Sequence, residues 1–166
     1  MKLQQIKDNY GKDKYITMWV DQMIATANGL LDAPLQKFVE PVSTDARLMM
    51  SARNAGWALQ RLAIAYHLTG CTNQAYVDRA WAEIENACNY PHWHHQWNDL
   101  DPAYMVCAMS YGYDWFYDQW TPEQRKIIED AVWKFQLDLA HQSYHGYKYN
   151  AWATVLTNWN IIINGY

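Results

Sequence analysis

The chain has 166 residues, 51% of them apolar and 18% charged. That length suits one domain with a sizeable core, and the balance excludes intrinsic disorder. A net charge of −4 excludes a general nucleic-acid binder, which carries a basic excess, and leaves any acidic ligand to be held by local groups.

Residues 15–31 carry a weak helical pattern. Leu48, Ala52, Ala55, Leu59, Leu62 and Tyr66 then form an apolar stripe at helical spacing, stopped by Thr69-Gly70. Tyr76, Ala80, Trp81, Ile84 and Cys88 form the next stripe, after a cap at Thr72 or Asn73. Asp101-Pro102 reads as an N-cap followed by proline at the first helical position, opening a helix through Val106, Ser110 and Asp114. Thr121-Pro122-Glu123-Gln124 reads as a capping box before Ile127, Ile128, Ala131, Phe135 and Leu139. The expectation is an all-α chain, residues 1–166 forming a single helical domain of antiparallel helical hairpins, with the start of a further helix at its end.

Two segments fall outside the helical scheme. Residues 89–99 (Asn-Tyr-Pro-His-Trp-His-His-Gln-Trp-Asn-Asp) and 141–150 (His-Gln-Ser-Tyr-His-Gly-Tyr-Lys-Tyr-Asn) are crowded with aromatic, imidazole and amide groups. Ordinary connecting loops use Ser, Gly, Asp and Lys instead. Ten Trp and thirteen Tyr suit a groove that stacks flat ligands or sugar faces, and equally suit an aromatic core.

Trp93, Trp97 and Trp152 are the candidates for stacking on sugar rings. His94, His95 and Lys148 would supply positive or donor character. Trp152 reads equally well as an aromatic plug between helix ends. His92, His94, His95, Asp99 and Asp101 also invite a metal reading, but their spacing matches no zinc pattern, and surface histidines are a further alternative. Asp114 and Asp118, one turn apart, read as a solvated face rather than a glycosidase pair. No cofactor is implied. Cys71, Cys88 and Cys107 contain no C-x-x-C pair and read as buried free thiols.

No apolar stretch of signal-peptide length opens the chain and no segment is long enough to span a membrane, so a soluble chain without an export signal is expected. The closing Thr157-Asn158-Trp159-Asn160-Ile161-Ile162-Ile163-Asn164-Gly165 sets amides among apolar residues. Buried amides cost about 1–3 kcal/mol each without partners, so these form a structural network or line a polar cavity.

Several runs, in order, resemble one family. They are Ala63-Ile64-Ala65-Tyr66-His67-Leu68-Thr69-Gly70, Arg79-Ala80-Trp81-Ala82-Glu83-Ile84, Tyr90-Pro91-His92-Trp93, Leu100-Asp101-Pro102-Ala103-Tyr104-Met105 and Gly112-Tyr113-Asp114-Trp115-Phe116-Tyr117. With the closing Asn158-Trp159-Asn160 and Asn164-Gly165 they look like the heparinase II/III-like polysaccharide lyases. The resemblance runs from about Leu48 onward.

It implies part of an incomplete α/α toroid and β-elimination of uronate polysaccharides, whether glycosaminoglycan, alginate or another. It implies Asn158 as the amide that neutralises the uronate carboxylate and Asn160 as a supporting amide, or the two exchanged, with Asn158 reading equally well as a helix cap; it also implies a base and acid (Tyr and His) lying further along the chain. It implies a periplasmic or secreted setting, an acidic polysaccharide partner, and self-association through an open toroid edge. The chain departs from the pattern at 93–97, where Trp-His-His-Gln-Trp replaces a Pro and single His. It departs again at Tyr104, where relatives carry an acid, leaving Tyr104 as a substrate-contact candidate. The alternatives are a non-catalytic carbohydrate-binding or scaffold piece, and a helical interaction domain whose aromatics are only core.

Overall fold

The computed structural model describes residues 3–40, 48–95, 99–146, 153 and 158–165, with Trp159 described by its backbone alone. The chain is all-α, with no strand among the described residues. The helices are α1 (Leu3–Asn9), α2 (Lys14–Leu31), α3 (Met49–Leu68), α4 (Gln74–Cys88), α5 (Leu100–Trp115), α6 (Pro122–Val132), α7 (Asp138–Tyr144) and α8 (Asn158–Gly165). A 3₁₀ turn, Tyr117–Gln119, follows α5, and a π-helical turn, Trp133–Leu137, joins α6 to α7.

The helix ends follow the local chemistry. Asp13 caps α2, its carboxylate accepting from the Tyr15 and Ile16 N–H groups at 2.9 Å each. Asn73 caps α4 by accepting from Ala75 N–H at 3.1 Å. Thr121 and Gln124 complete the expected capping box on α6. Gly70, at φ +81°, ends the turn after α3, in the left-handed region that glycine occupies without steric cost.

The proposed cap at Asp101 is corrected. The helix starts at Leu100, Asp99 occupies the cap position without a side-chain cap bond, and Asp101 lies in the first turn. Its carboxylate is directed into the protein instead, as described below. Two other expectations change. Helix α1 shows no clear apolar stripe in the sequence, and α7 claims residues 141–144 from the second proposed loop.

Helices α3 and α5 run parallel. Leu48 N donates to Asp101 Oδ2, Gly56 faces Ala108, and His67 Nε2 donates to the Trp115 carbonyl, in matching order along both helices. Helix α4 returns the chain between them and forms a short hairpin with α3. The core fills the space among them with Leu59, Leu62, Ile84, Met105 and Met109, all fully buried. Small residues permit the approach: a Cβ on Gly112 would stand 2.6 Å from Ile84 Cδ1.

The segment after α2 is tied to α4 by a buried polar network. Arg79 Nη2 pairs with Glu83 Oε1 at 2.6 Å and Arg79 Nε donates to the Leu30 carbonyl at 2.7 Å. Asn86 and Tyr90 both donate to the Gln36 carbonyl, at 2.7 and 2.6 Å. These bonds satisfy backbone groups that a helix-free segment could not pair with itself.

Candidate functional site: a cationic aromatic groove on α3 and α5

On α3, Arg53, Trp57 and Gln60 fall at i, i+4 and i+7, so they share one face. On α5, Tyr104, Cys107, Ala108 and Tyr111 repeat at i, i+3, i+4 and i+7. A Cβ built on Gly56 would meet Ala108 Cβ at 3.4 Å. The two backbones thus lie close together, and the longer side chains stand up on either side. The result is a recess of about 220 Å³ lined by these residues.

The Arg53 guanidinium lies 5.3 Å from the Trp57 ring and 5.6 Å from the Tyr104 ring. Cation–π contacts of this kind are worth about 0.5–1 kcal/mol each at exposed sites. They hold the charge in place without neutralising it. Among the described residues no carboxylate pairs with Arg53. Trp57 remains 43% exposed, which leaves its ring available for stacking. A planar cation beside an open indole is suited to a ligand that carries both an anionic group and an apolar face.

One turn before Tyr104 lies a second arrangement. Asp101 Oδ2 accepts from His94 Nδ1–H at 2.5 Å and from Leu48 N–H at 2.9 Å. Since the carboxylate only accepts, the proton of this bond is on Nδ1. His94 is 2% exposed, and Nε2 has no partner among the described residues. The backbone there is left-handed, at φ +76°, which is unusual for a residue with a Cβ. Its N–H donates to His92 Nδ1 at 3.2 Å. Burial, then the charges of His92 and His94, push the neighbouring His95 imidazole below its ordinary range.

Helix α8 closes the same end of α5. Ile163 is buried against Leu100 and Ala103, and Tyr104 packs against both this cluster and the main core. Asn158, the first residue of α8, is exposed. Asn160 Nδ2 donates to the Ala153 carbonyl at 3.0 Å, while Asn164 Nδ2 donates to the Asn160 carbonyl and Oδ1 at 2.6 and 3.1 Å. Asn160 is thus a structural amide, whereas Asn158 and Asn164 are exposed.

The loop candidates fare unevenly. Trp93 is a correction: it is fully buried, its Nε1–H donating to the Ala87 carbonyl at 3.0 Å and its ring 5.2 Å from Phe135. Its indole fills the gap beneath the loop and offers no face to a sugar. His94 is likewise turned inward onto Asp101, and His95 is half-buried. Trp97, Lys148 and Trp152 lie outside the described residues. Tyr104 lines the groove, beside Arg53 and Trp57, which the sequence reading did not single out. The pair at i, i+4 on α3 was the available signal.

Among the described residues no group of three His, Cys, Asp or Glu side chains is placed to hold a metal ion. The same residues include no helix long and apolar enough to cross a membrane. Cys71 is a further correction, being exposed in the turn after α3, whereas Cys88 and Cys107 are half-buried. A larger cleft, about 650 Å³, lies at the other end of α3 and α5 and includes Asp114 and Asp118 in its wall. It has no Lys or Arg in its lining, so an acidic ligand is better served by the smaller groove. Comparison with protein-family models finds no match, and no curated protein matches the chain.

Proposed function

We propose that the chain binds an acidic, uronate-bearing polysaccharide along the α3/α5 groove, as part of a lyase that cleaves by β-elimination within an α/α toroid. One observation carries the binding half of this reading: the Arg53 guanidinium is held between Trp57 and Tyr104 with no carboxylate partner among the described residues. The parallel α3 and α5 with α4 returning between them also suit a toroid, which is built by repeating helical hairpins. The resemblance in the sequence supports the elimination half.

The chemistry sets the demand. The C5 proton of a uronate is weakly acidic, and its removal spreads negative charge onto the adjacent carboxylate. A donor that meets this charge lowers the barrier, by roughly 3–4 kcal/mol for one well-placed hydrogen bond. The Asn158 amide is the proposed donor, because it is exposed at the start of α8 and its NH₂ adds no charge that would retain product. Arg53 is the proposed anchor for a neighbouring carboxylate, and Trp57 the platform for a sugar face. The base and acid of the elimination are assigned to no residue here.

The test is direct. Intrinsic Trp fluorescence is expected to change on addition of uronate oligosaccharides and to lose most of that change in Trp57→Ala. A full response in Trp57→Ala would remove the groove from the account.

A further inference from the structure

At the far end of the α3/α5 pair, the chain after α3 turns through Gly70 at φ +81° and Cys71 at φ +61°. The turn is closed by Cys71 N–H donating to the Tyr66 carbonyl at 2.9 Å. It places Cys71 Sγ 3.4 Å from His67 Nδ1, one helical turn back. His67 Nε2 lies 3.0 Å from the Trp115 carbonyl. A carbonyl oxygen only accepts, so Nε2 carries the proton and Nδ1 of the neutral ring is left to accept from the Cys71 thiol. Nucleophile, base and a third group that orients the base are therefore in contact, which is the general signature of an activated nucleophile.

Cys71 and His67 also belong to the wall of the 650 Å³ cleft, together with the rings of Trp19, Tyr66 and Trp115 and the carboxylates of Asp114 and Asp118. The thiol is exposed. The cleft is thus an aromatic recess beside a thiol–imidazole pair, with carboxylates that disfavour anions. Exchange with a disulfide needs no oxyanion-stabilising donors, because its charge moves from sulfur to sulfur.

We propose that Cys71 is a thiol–disulfide exchange site that takes up neutral aromatic disulfides of low molecular weight, with His67 as its base. The His67 Nδ1 nitrogen receives the thiol proton. The Cys71 sulfur attacks one sulfur of the disulfide, a new S–S bond forms and the old one breaks. The departing thiolate takes the proton back from the imidazolium. Cys71 is oxidised to a mixed disulfide, and the other half of the reagent is reduced to a thiol. Cys88 does not compete, since burial, and then the Glu85 charge, push its thiol up to about 12.

The experiment uses the whole chain and neutral dithiodipyridine, with per-site rates read by peptide mass mapping. Cys71 is expected to be labelled first, and at least roughly tenfold faster in the folded chain than in the urea-unfolded chain, as positioned base catalysis requires. His67→Gln should remove that acceleration. Trp19→Ala should lower the rate with dithiodipyridine but leave that with hydroxyethyl disulfide, which has no ring to seat. Three results would each overturn the proposal. These are first labelling at Cys88 or Cys107, equal Cys71 rates in folded and unfolded wild type, or an undiminished rate in a folded His67→Gln protein. The folded-to-unfolded comparison decides the matter even if His67→Gln does not fold.

Discussion

Asp101 and His94 are joined by a buried hydrogen bond, Oδ2 to Nδ1 at 2.5 Å, and the same oxygen holds the Leu48 N–H at 2.9 Å. One carboxylate thus ties the start of α3, the start of α5 and the loop between α4 and α5. Deleting one partner of a buried pair leaves the other unsatisfied and costs about 3–5 kcal/mol. Asp101→Ala is expected to lose that much stability in urea unfolding. Asp101→Asn keeps an acceptor oxygen and should lose about 1–3 kcal/mol, the difference between a charged and a neutral bond partner. Equal losses would mean that a neutral acceptor oxygen preserves nothing and that the bond depends on the carboxylate's charge.

Trp93 should behave as a core residue. Its indole is fully buried and its N–H is satisfied by Ala87. Trp93→Ala is expected to cost about 3–5 kcal/mol by cavity formation. The folded fraction of that variant should respond to uronate oligosaccharides as the wild type does. A loss of response at full stability would return Trp93 to the ligand.

Two glycines give opposite expectations. Gly56→Ala meets only ordinary contact at 3.4 Å and should be neutral or stabilise α3 by about 0.5–1 kcal/mol through helix propensity. Gly112→Ala drives a Cβ to 2.6 Å from Ile84 Cδ1 and should destabilise by about 1–3 kcal/mol through overpacking. Thermal melts of the two variants against wild type check the ordering.

Glu83 supplies a pH signature. Burial raises its carboxyl above the usual value of 4.5, and the Arg79 charge and the Gln36 N–H offset this only in part. A pKa raised by folding favours the protonated form in the folded chain. The contribution is therefore fully present below the unfolded value and is lost as pH rises through the folded one. Relative to Glu83→Gln, wild type should lose stability as pH rises from the usual carboxyl value of 4.5 through the higher folded one in paired urea titrations. A difference that grows in favour of wild type as pH rises would show that the Arg79 pairing outweighs burial.

The helices were legible in the sequence where capping chemistry is local. Asn73, Thr121 and Gly70 each act within a few residues of themselves, so their roles could be read directly. The groove was not legible. Arg53 and Trp57 flank the apolar stripe of α3, and nothing within α3 says which flank meets another helix. That follows from the placement of α5, through the Gly56–Ala108 approach. Trp93 and Trp57 show the same limit from the other side. Both are indoles in suggestive company, and burial alone separates the plug from the platform. Asp101 satisfied a local capping pattern, yet a long-range partner, His94, took its carboxylate.

The most direct test of the central claim matches ligand charge against protein charge. A uronate oligosaccharide and its carboxyl-reduced counterpart are titrated calorimetrically into wild type and Arg53→Met, which keeps the apolar stem of the side chain. The account predicts that wild type prefers the uronate by roughly tenfold or more, about 1.4 kcal/mol, and that Arg53→Met binds the two alike while remaining folded. An undiminished preference in Arg53→Met, or no binding of the uronate to folded wild type, would contradict it.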